Sequence, residues 1–78
     1  MDRIDIESIV LSTLANVIKR GVDLQSAEEA IQQLDSLKHV EFIFAVEDEM
    51  GVQFSEEELA DMDGLDKIVS RIMLRHEA

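Results

Sequence analysis

Two neighbouring residues, Asp35 and Ser36, have the types and the position to take part in chemistry, because they stand where an apolar helical segment begins. A serine hydroxyl in the first turn of a helix is exposed, and the positive end of the helix dipole favours a phosphate attached there. The carboxylate of Asp35 can pair with a cation on a modifying enzyme. Asp and Ser before a helix are also common caps, so the tripeptide Asp35-Ser36-Leu37 alone favours simple capping. The apolar and acidic residues after the tripeptide favour an attachment site.

The segment from Leu34 to Met50 has more apolar surface than one core-facing stripe needs. At about 100° per residue, one broad arc holds the core-facing side chains, which are Val40, Phe42, Ile43, Val46 and Met50. Leu37 and Phe44 fall together on a different line. Acidic side chains flank this line, namely Glu41, Glu47 and Asp48. Two surface hydrophobic residues inside an acidic rim predict a docking surface.

Other kinds of chemistry find little support in the sequence. His39 and His76 are far apart, no Ser-His-Asp set is visible, and so small a domain has little means of excluding water, which argues against an enzyme. The acidic run that starts at Asp61 fails the calcium-loop pattern, because its fifth and twelfth positions are Leu65 and Ile72. We therefore predict no metal site. The chain has no cysteine and thus no thiol of its own.

Composition narrows the class of protein and its partners. The length of 78 residues allows one domain, residues 1–78, with a modest core. The net charge of −11 argues against nucleic acid and anionic membranes, and it favours partners with basic patches. The first residues lack the order of a signal peptide, and no apolar run approaches the length of a membrane span. We expect a soluble, cytoplasmic monomer.

The chain has no proline, only three glycines, and apolar residues at spacings of three and four, which predicts an all-α fold. A first helix is expected to end at Arg20, with Gly21 as its left-handed stop. A second helix is expected to begin at Asp35 or Ser36 and to end at Met50, with Gly51 in the same role.

The stretch of residues 26–34 is compatible with two structures. Ser26 and Glu29 have the spacing of a capping box, which favours a short helix from Ala27 to about Gln33. The same residues could form an ordered loop that places its apolar side chains on the core. The sequence leaves both alternatives open.

The last third of the chain predicts two more helices. Ser55 with Glu58 forms a capping box that opens a short helix, and Asp63 is a candidate cap for the final helix. The expected architecture is a small four-helix bundle of three longer helices and one short helix, up-down with a long first loop.

Residues 34–72 resemble an acyl carrier protein. The run from Asp35 to Val52 resembles the signature helix of that family, and the run from Glu56 to Ile72 follows its pattern without a gap. The resemblance implies that Ser36 carries 4′-phosphopantetheine, which a phosphopantetheinyl transferase brings from coenzyme A. The thiol of this arm would carry acyl groups as thioesters to enzymes of fatty-acid, lipid or polyketide synthesis.

The resemblance also implies roles for other residues. Asp35 would help the transferase to grip the site. Residues that would meet the basic and apolar patches of acyl-processing or ligating enzymes are Leu37, Val40, Glu41, Phe44, Glu47 and Asp48. Residues that would shelter the acyl chain are Phe42, Ile43, Val46, Leu59, Met62 and Ile68.

Three positions depart from the family pattern. Gln33 stands where glycine is usual, Lys38 stands where an acidic residue is common, and Ser55 replaces a frequent proline. Gln33 and Lys38 favour a specialised carrier with an unusual set of partners. Two alternatives stay open, a carrier of aminoacyl or peptidyl groups and an unmodified acidic helical adaptor that binds a basic protein.

Overall fold

The computed structural model describes residues 2–77, with side chains for residues 2–75, and these residues contain five helices and no strand. The helices are α1 Arg3–Ile18, α2 Leu24–Gln32, α3 Ser36–Met50, α4 Glu56–Asp61 and α5 Leu65–Glu77. The predicted small all-α bundle is confirmed. Residues 26–34, for which the sequence leaves a helix and a loop open, are helical as far as Gln32. Helix α2 therefore interrupts the predicted long first loop, and the described residues form five helices.

The core lies between α1, α3 and α5, and α2 packs against α1 and α5. The predicted apolar stripes face this core. Its large, fully buried side chains are Ile6, Val10, Leu14, Ile31, Phe42, Ile43, Val46, Met62, Ile68, Val69 and Ile72. Burying a side chain of this size contributes about 1.5–3 kcal/mol relative to leaving it in water. These contacts make α1, α3 and α5 the frame of the molecule. In the described part of the chain, no helix is both long and apolar enough to cross a membrane.

The helix ends show which local signals determine the structure. Gly51 has φ of 68° and ends α3, as predicted, with its N–H donating to the carbonyl of Glu47. The predicted stop at Gly21 is wrong, because α1 ends at Ile18 and Lys19 takes the left-handed conformation with φ of 61°. A side chain in this conformation costs about 1–2 kcal/mol relative to the right-handed one.

The cap of α2 also differs from the prediction. Asp23 is the N-cap residue, and its carboxylate accepts a hydrogen bond from the N–H of Ser26 at 2.9 Å. The Ser26 hydroxyl in turn accepts one from the N–H of Asp23 at 3.2 Å. Ser26 therefore closes a capping box instead of opening one with Glu29. The same N–H of Ser26 is the main cause of the lowered pKa of the Asp23 carboxyl.

The start of α5 is capped by a residue from another helix. Asp63, the predicted cap, accepts a hydrogen bond from the ammonium of Lys67 at 3.0 Å, and α5 begins after Gly64. The carboxylate of Glu28 on α2 takes the capping role, accepting the N–H of Leu65 at 2.9 Å. Gly64 leaves room for this approach, because a Cβ there would lie 2.3 Å from a carboxylate oxygen of Glu28.

Several polar side chains join the short helix α4 to α5, and Leu59 packs against the core. The predicted capping box of Ser55 and Glu58 is present, and α4 contains no buried residue. The Glu58 carboxylate also pairs with Arg71 at 3.3 Å and with Arg75, while Asp61 pairs with Arg71 at 3.2 Å. The N–H of Ser55, followed by the two guanidinium groups, lowers the pKa of Glu58. Side-chain bonds to α5 therefore contribute much of what holds α4 in place.

We predict that Gly64→Ala and Glu28→Ala act through the same contact. The added Cβ displaces the Glu28 carboxylate, so each substitution should lower the free energy of unfolding by about 1 kcal/mol through the lost cap. The double variant should be no less stable than Glu28→Ala alone, since the displaced group is already absent. Urea unfolding of all four proteins measures this. Additive losses would show that Gly64 is needed for another reason.

A second prediction concerns acid. Because the pKa of Glu58 is lowered in the folded state, its stabilising contribution is complete above its ordinary pKa of 4.5 and is lost as the pH falls through the folded value. The difference in melting temperature between the unaltered protein and Glu58→Gln should thus be largest near neutral pH and shrink as the pH falls below 4.5. Glu56→Gln, an exposed change on the same helix, is the control. A difference that does not change with pH would contradict the ion-pair account.

Candidate functional site

Ser36 is the first residue of α3, and its side chain is exposed. Asp35 precedes it as the N-cap residue, with its carboxylate accepting the N–H of Lys38 at 2.8 Å. The N–H groups of Ser36 and Leu37 have no acceptor within the helix, as is general for the first turn. The Ser36 hydroxyl makes no hydrogen bond to another described residue. This end of α3 therefore presents a hydroxyl and backbone donors to solvent.

A line of exposed apolar side chains follows along α3. Leu37 is 70% exposed and Phe44 is 52% exposed, whereas Phe42 and Ile43 beside them in sequence are fully buried. The helical wheel predicts this separation. Each of these side chains forgoes part of the about 1.5–3 kcal/mol that full burial would provide. Two such side chains on one line of a helix form a small apolar surface that the bundle leaves uncovered.

The predicted acidic rim divides into exposed carboxylates and one half-buried carboxylate. Glu41 and Asp48 are exposed beside the apolar line, and Glu41 pairs with Lys38 at 3.5 Å. Glu47 is half-buried, and its carboxylate accepts the N–H of Phe54 at 2.7 Å. Glu47 thus holds the connector between α3 and α4. We call the exposed set, Leu37, Glu41, Phe44 and Asp48, the docking face.

On the other side of Ser36 lies a surface depression of about 430 Å³. It is bounded by the end of α2, the start of α3, and α4 with the residues after it. Its lining includes Leu34, Val40 and Leu59 as apolar groups and Gln32 and His39 as polar groups. Ser36 itself belongs to the lining, so the exposed hydroxyl stands at the edge of a cleft of mixed polarity.

His39 joins α3 to the end of α4. Its Nε2 lies 2.7 Å from the carbonyl oxygen of Met62. Because a carbonyl can only accept, Nε2 carries the hydrogen and donates it. The wheel position of His39, within the apolar arc of α3, is the signal that could have indicated a buried polar contact, but the partner could not be found from sequence. The other histidine, His76, has a side chain outside the described residues.

Near His39, Asp63 and Lys67 form an ion pair at the rim of the depression. The hydrogen bond and charge of Lys67 lower the pKa of the Asp63 carboxyl, and His39 makes a smaller contribution in the same direction. Asp63 in turn raises the pKa of Lys67. The lining of the depression therefore includes the negatively charged carboxylate of Asp63, and the ammonium of Lys67 balances this charge.

The six residues predicted to shelter an acyl chain lie in the core or at its edge. Phe42, Ile43, Val46, Met62 and Ile68 are fully buried, and Leu59 is half-buried. Leu59 lines the depression, whereas the other five are not among its lining residues. Ile31, which is buried in the core, also lines the depression, so the depression borders the core at the end of α2.

Among the described residues, no group of three or more His, Asp or Glu side chains is arranged to hold a metal ion. Comparison with known proteins gives no matching family model, no matching curated protein and no matching solved structure. The functional assignment therefore depends on the site itself.

Proposed function

We propose that this protein is a carrier in which Ser36 is the attachment point for 4′-phosphopantetheine and which presents acyl groups to separate enzymes of lipid or polyketide synthesis. The observation that carries the proposal is the exposed, unengaged hydroxyl at the first position of α3, directly followed by exposed Leu37. The arm supplies a terminal thiol that bears acyl groups as thioesters, which this chain without cysteine cannot provide.

The surroundings of Ser36 fit such a group. A phosphodiester is an anion, and the first-turn N–H groups and dipole of α3 favour negative charge at this end. The arm alternates amide groups with short apolar stretches. Gln32 and His39 could hydrogen-bond its amides, and Leu34, Val40 and Leu59 could contact its apolar parts. These are the residues that would hold the arm when it folds back on the protein.

In the transferase reaction this chain supplies the nucleophile. The Ser36 oxygen forms a bond to phosphorus while the pyrophosphate bond of coenzyme A breaks and adenosine 3′,5′-bisphosphate leaves. The Ser36 proton goes to a base on the transferase, since Asp35, the nearest carboxylate in sequence, is engaged in capping α3. The second oxygen of Asp35 can still pair with a cation on that enzyme.

The docking face fits a partner that combines a basic patch with an apolar contact. Asp48 and Glu41 lie beside the two exposed hydrophobic side chains, and the net charge of −11 extends the attraction beyond the contact itself. Lys38 pairs with Glu41 and reduces the negative charge next to Ser36. This supports a partner set that differs from that of a carrier with an acidic residue at the same position.

We predict that a broad-specificity phosphopantetheinyl transferase, given coenzyme A, adds one phosphopantetheine to the unaltered protein and none to Ser36→Ala. Intact mass measures the product. Ser12→Ala, an exposed serine within α1, is the matched control and should be modified like the unaltered protein. Because Asp35 still caps α3 in Ser36→Ala, circular dichroism should show both variants folded.

Failure of the unaltered protein with several transferases would remove the carrier proposal. An unmodified adaptor would then be the better account, since it needs the docking face and not the hydroxyl. The adaptor requires that Ser36→Ala binds its basic partner as strongly as the unaltered protein does.

We also predict that Leu37→Ala and Phe44→Ala each lower kcat/KM for the transferase by about tenfold, because truncating a central apolar contact costs more than 1 kcal/mol in an interface. The free energy of unfolding should change by less than about 0.5 kcal/mol, since both side chains are exposed. Leu24→Ala on α2 is the matched control, because Leu24 is 53% exposed and lies outside the docking face. An equal loss of kcat/KM in all three variants would contradict the assignment of the docking face.

A further inference from the structure

Lys38 is the one lysine or arginine of α3, and the same helix contains four carboxylates. These belong to Glu41, Glu47, Asp48 and Glu49. The Lys38 side chain is 49% exposed, and its ammonium lies 3.5 Å from a carboxylate oxygen of Glu41. Because an exposed pair at this distance contributes little to stability, the fold depends little on it. The ammonium therefore remains available to a group on another molecule.

The ammonium of Lys38 lies at the edge of the docking face. The four residues of that face fall within about 60° of one another on the helical wheel, and Lys38 lies about 60° beyond Glu41. The contact with Glu41 brings the Lys38 side chain toward the face. An enzyme that contacts Glu41 therefore also comes within reach of this ammonium.

Lys38 changes the charge pattern that a partner meets. The other ion pairs of the described residues all involve carboxylates outside α3. A partner with cations placed against both Glu41 and Asp48 would hold one of these cations next to the Lys38 ammonium. Like charges side by side disfavour such a partner, whereas a carboxylate at that point is attracted.

We infer that Lys38 is a specificity-determining residue, which selects enzymes that place a carboxylate opposite its ammonium and basic groups opposite Asp48. The inference depends on the proposed carrier function and adds the kind of partner that acts on the carrier. An enzyme with an uninterrupted basic patch is attracted from a distance by the net charge of −11. At the contact, the Lys38 ammonium repels it, so this one cation distinguishes between basic enzymes.

The first measurement uses a phosphopantetheinyl transferase whose docking surface has only lysine and arginine as charged residues. With this enzyme, kcat/KM should be about fivefold higher for Lys38→Glu than for the unaltered protein, because a charge at the edge of an interface changes association. Lys38→Gln should be intermediate. The gain should lie in KM with kcat unaltered, since the contact is present before and during the transfer. It should disappear toward about 1 M salt, where charges are screened beyond about 3 Å.

Arg20→Glu is the matched control, because it makes the same change of net charge at an exposed residue outside the docking face. It should change kcat/KM by less than about twofold, since a charge away from the contact is largely screened at physiological salt. A carboxylate in the first turn of α3 is favoured by the helix dipole, so Lys38→Glu should stay folded, as circular dichroism can verify. No gain in Lys38→Glu, or an equal gain in Arg20→Glu, would overturn the inference.

The second measurement reverses charges on the enzyme. Each lysine and arginine of the docking surface of the transferase is changed to glutamate in turn, and each enzyme variant is assayed with the unaltered protein and with Lys38→Glu. One of these enzyme variants should prefer the unaltered protein, which is the opposite of the preference of the unaltered enzyme. If no enzyme variant reverses the preference, the inference is wrong. If neither protein accepts an arm, the proposed function fails at the mass measurement, whereas equal rates for both contradict only the role of Lys38.

Discussion

The burial of one stripe of α3 is the constraint on which the rest of the structure depends. Phe42, Ile43 and Val46 are fully buried, and α3 packs mainly against α1. Since an α-helix turns about 100° per residue, fixing these side chains inward also fixes Leu37 and Phe44 outward. Rotating α3 to cover the exposed pair would bring the buried set into water, at a larger cost for three side chains than the gain for two. The docking face is therefore a consequence of core packing.

Carboxylates also attach the two shorter helices to this frame, although α2 buries Ala27, Ala30 and Ile31 as well. Glu28 on α2 caps the first turn of α5, and Glu58 on α4 pairs with arginines of α5. Both contacts are partly exposed carboxylate bonds, which contribute less than buried apolar area and depend on solvent conditions. These same helices form the walls of the depression beside Ser36. The part of the molecule closest to the candidate attachment point thus includes α4, which contains no buried residue.

The features that sequence predicted are those determined locally. The range of α3, its stop at Gly51 and the capping box at Ser55 each depend on residues within one turn, and the exposure of Leu37 and Phe44 follows from helical period alone. The errors involve competition between signals or distant partners. Gly21 could have ended α1, but the chain takes the left-handed conformation two residues earlier, at Lys19. The cap of α5 comes from a residue 37 positions away, and the partner of His39 lies 23 positions away. No pattern within α3 or α5 specifies such contacts, because they depend on how the helices pack.

Ser36 lies between two surfaces of the molecule, the docking face and the depression. On the helical wheel it stands about 100° from Leu37 on one side and about 60° from His39 on the other. A partner that covers the docking face can therefore reach the Ser36 hydroxyl while the depression stays open. Leu37 and Phe44 are not among the lining residues of the depression, so in the proposed carrier an acyl group lying there would leave both side chains uncovered. In the proposed carrier, recognition by a partner and storage of the cargo would therefore use different surfaces.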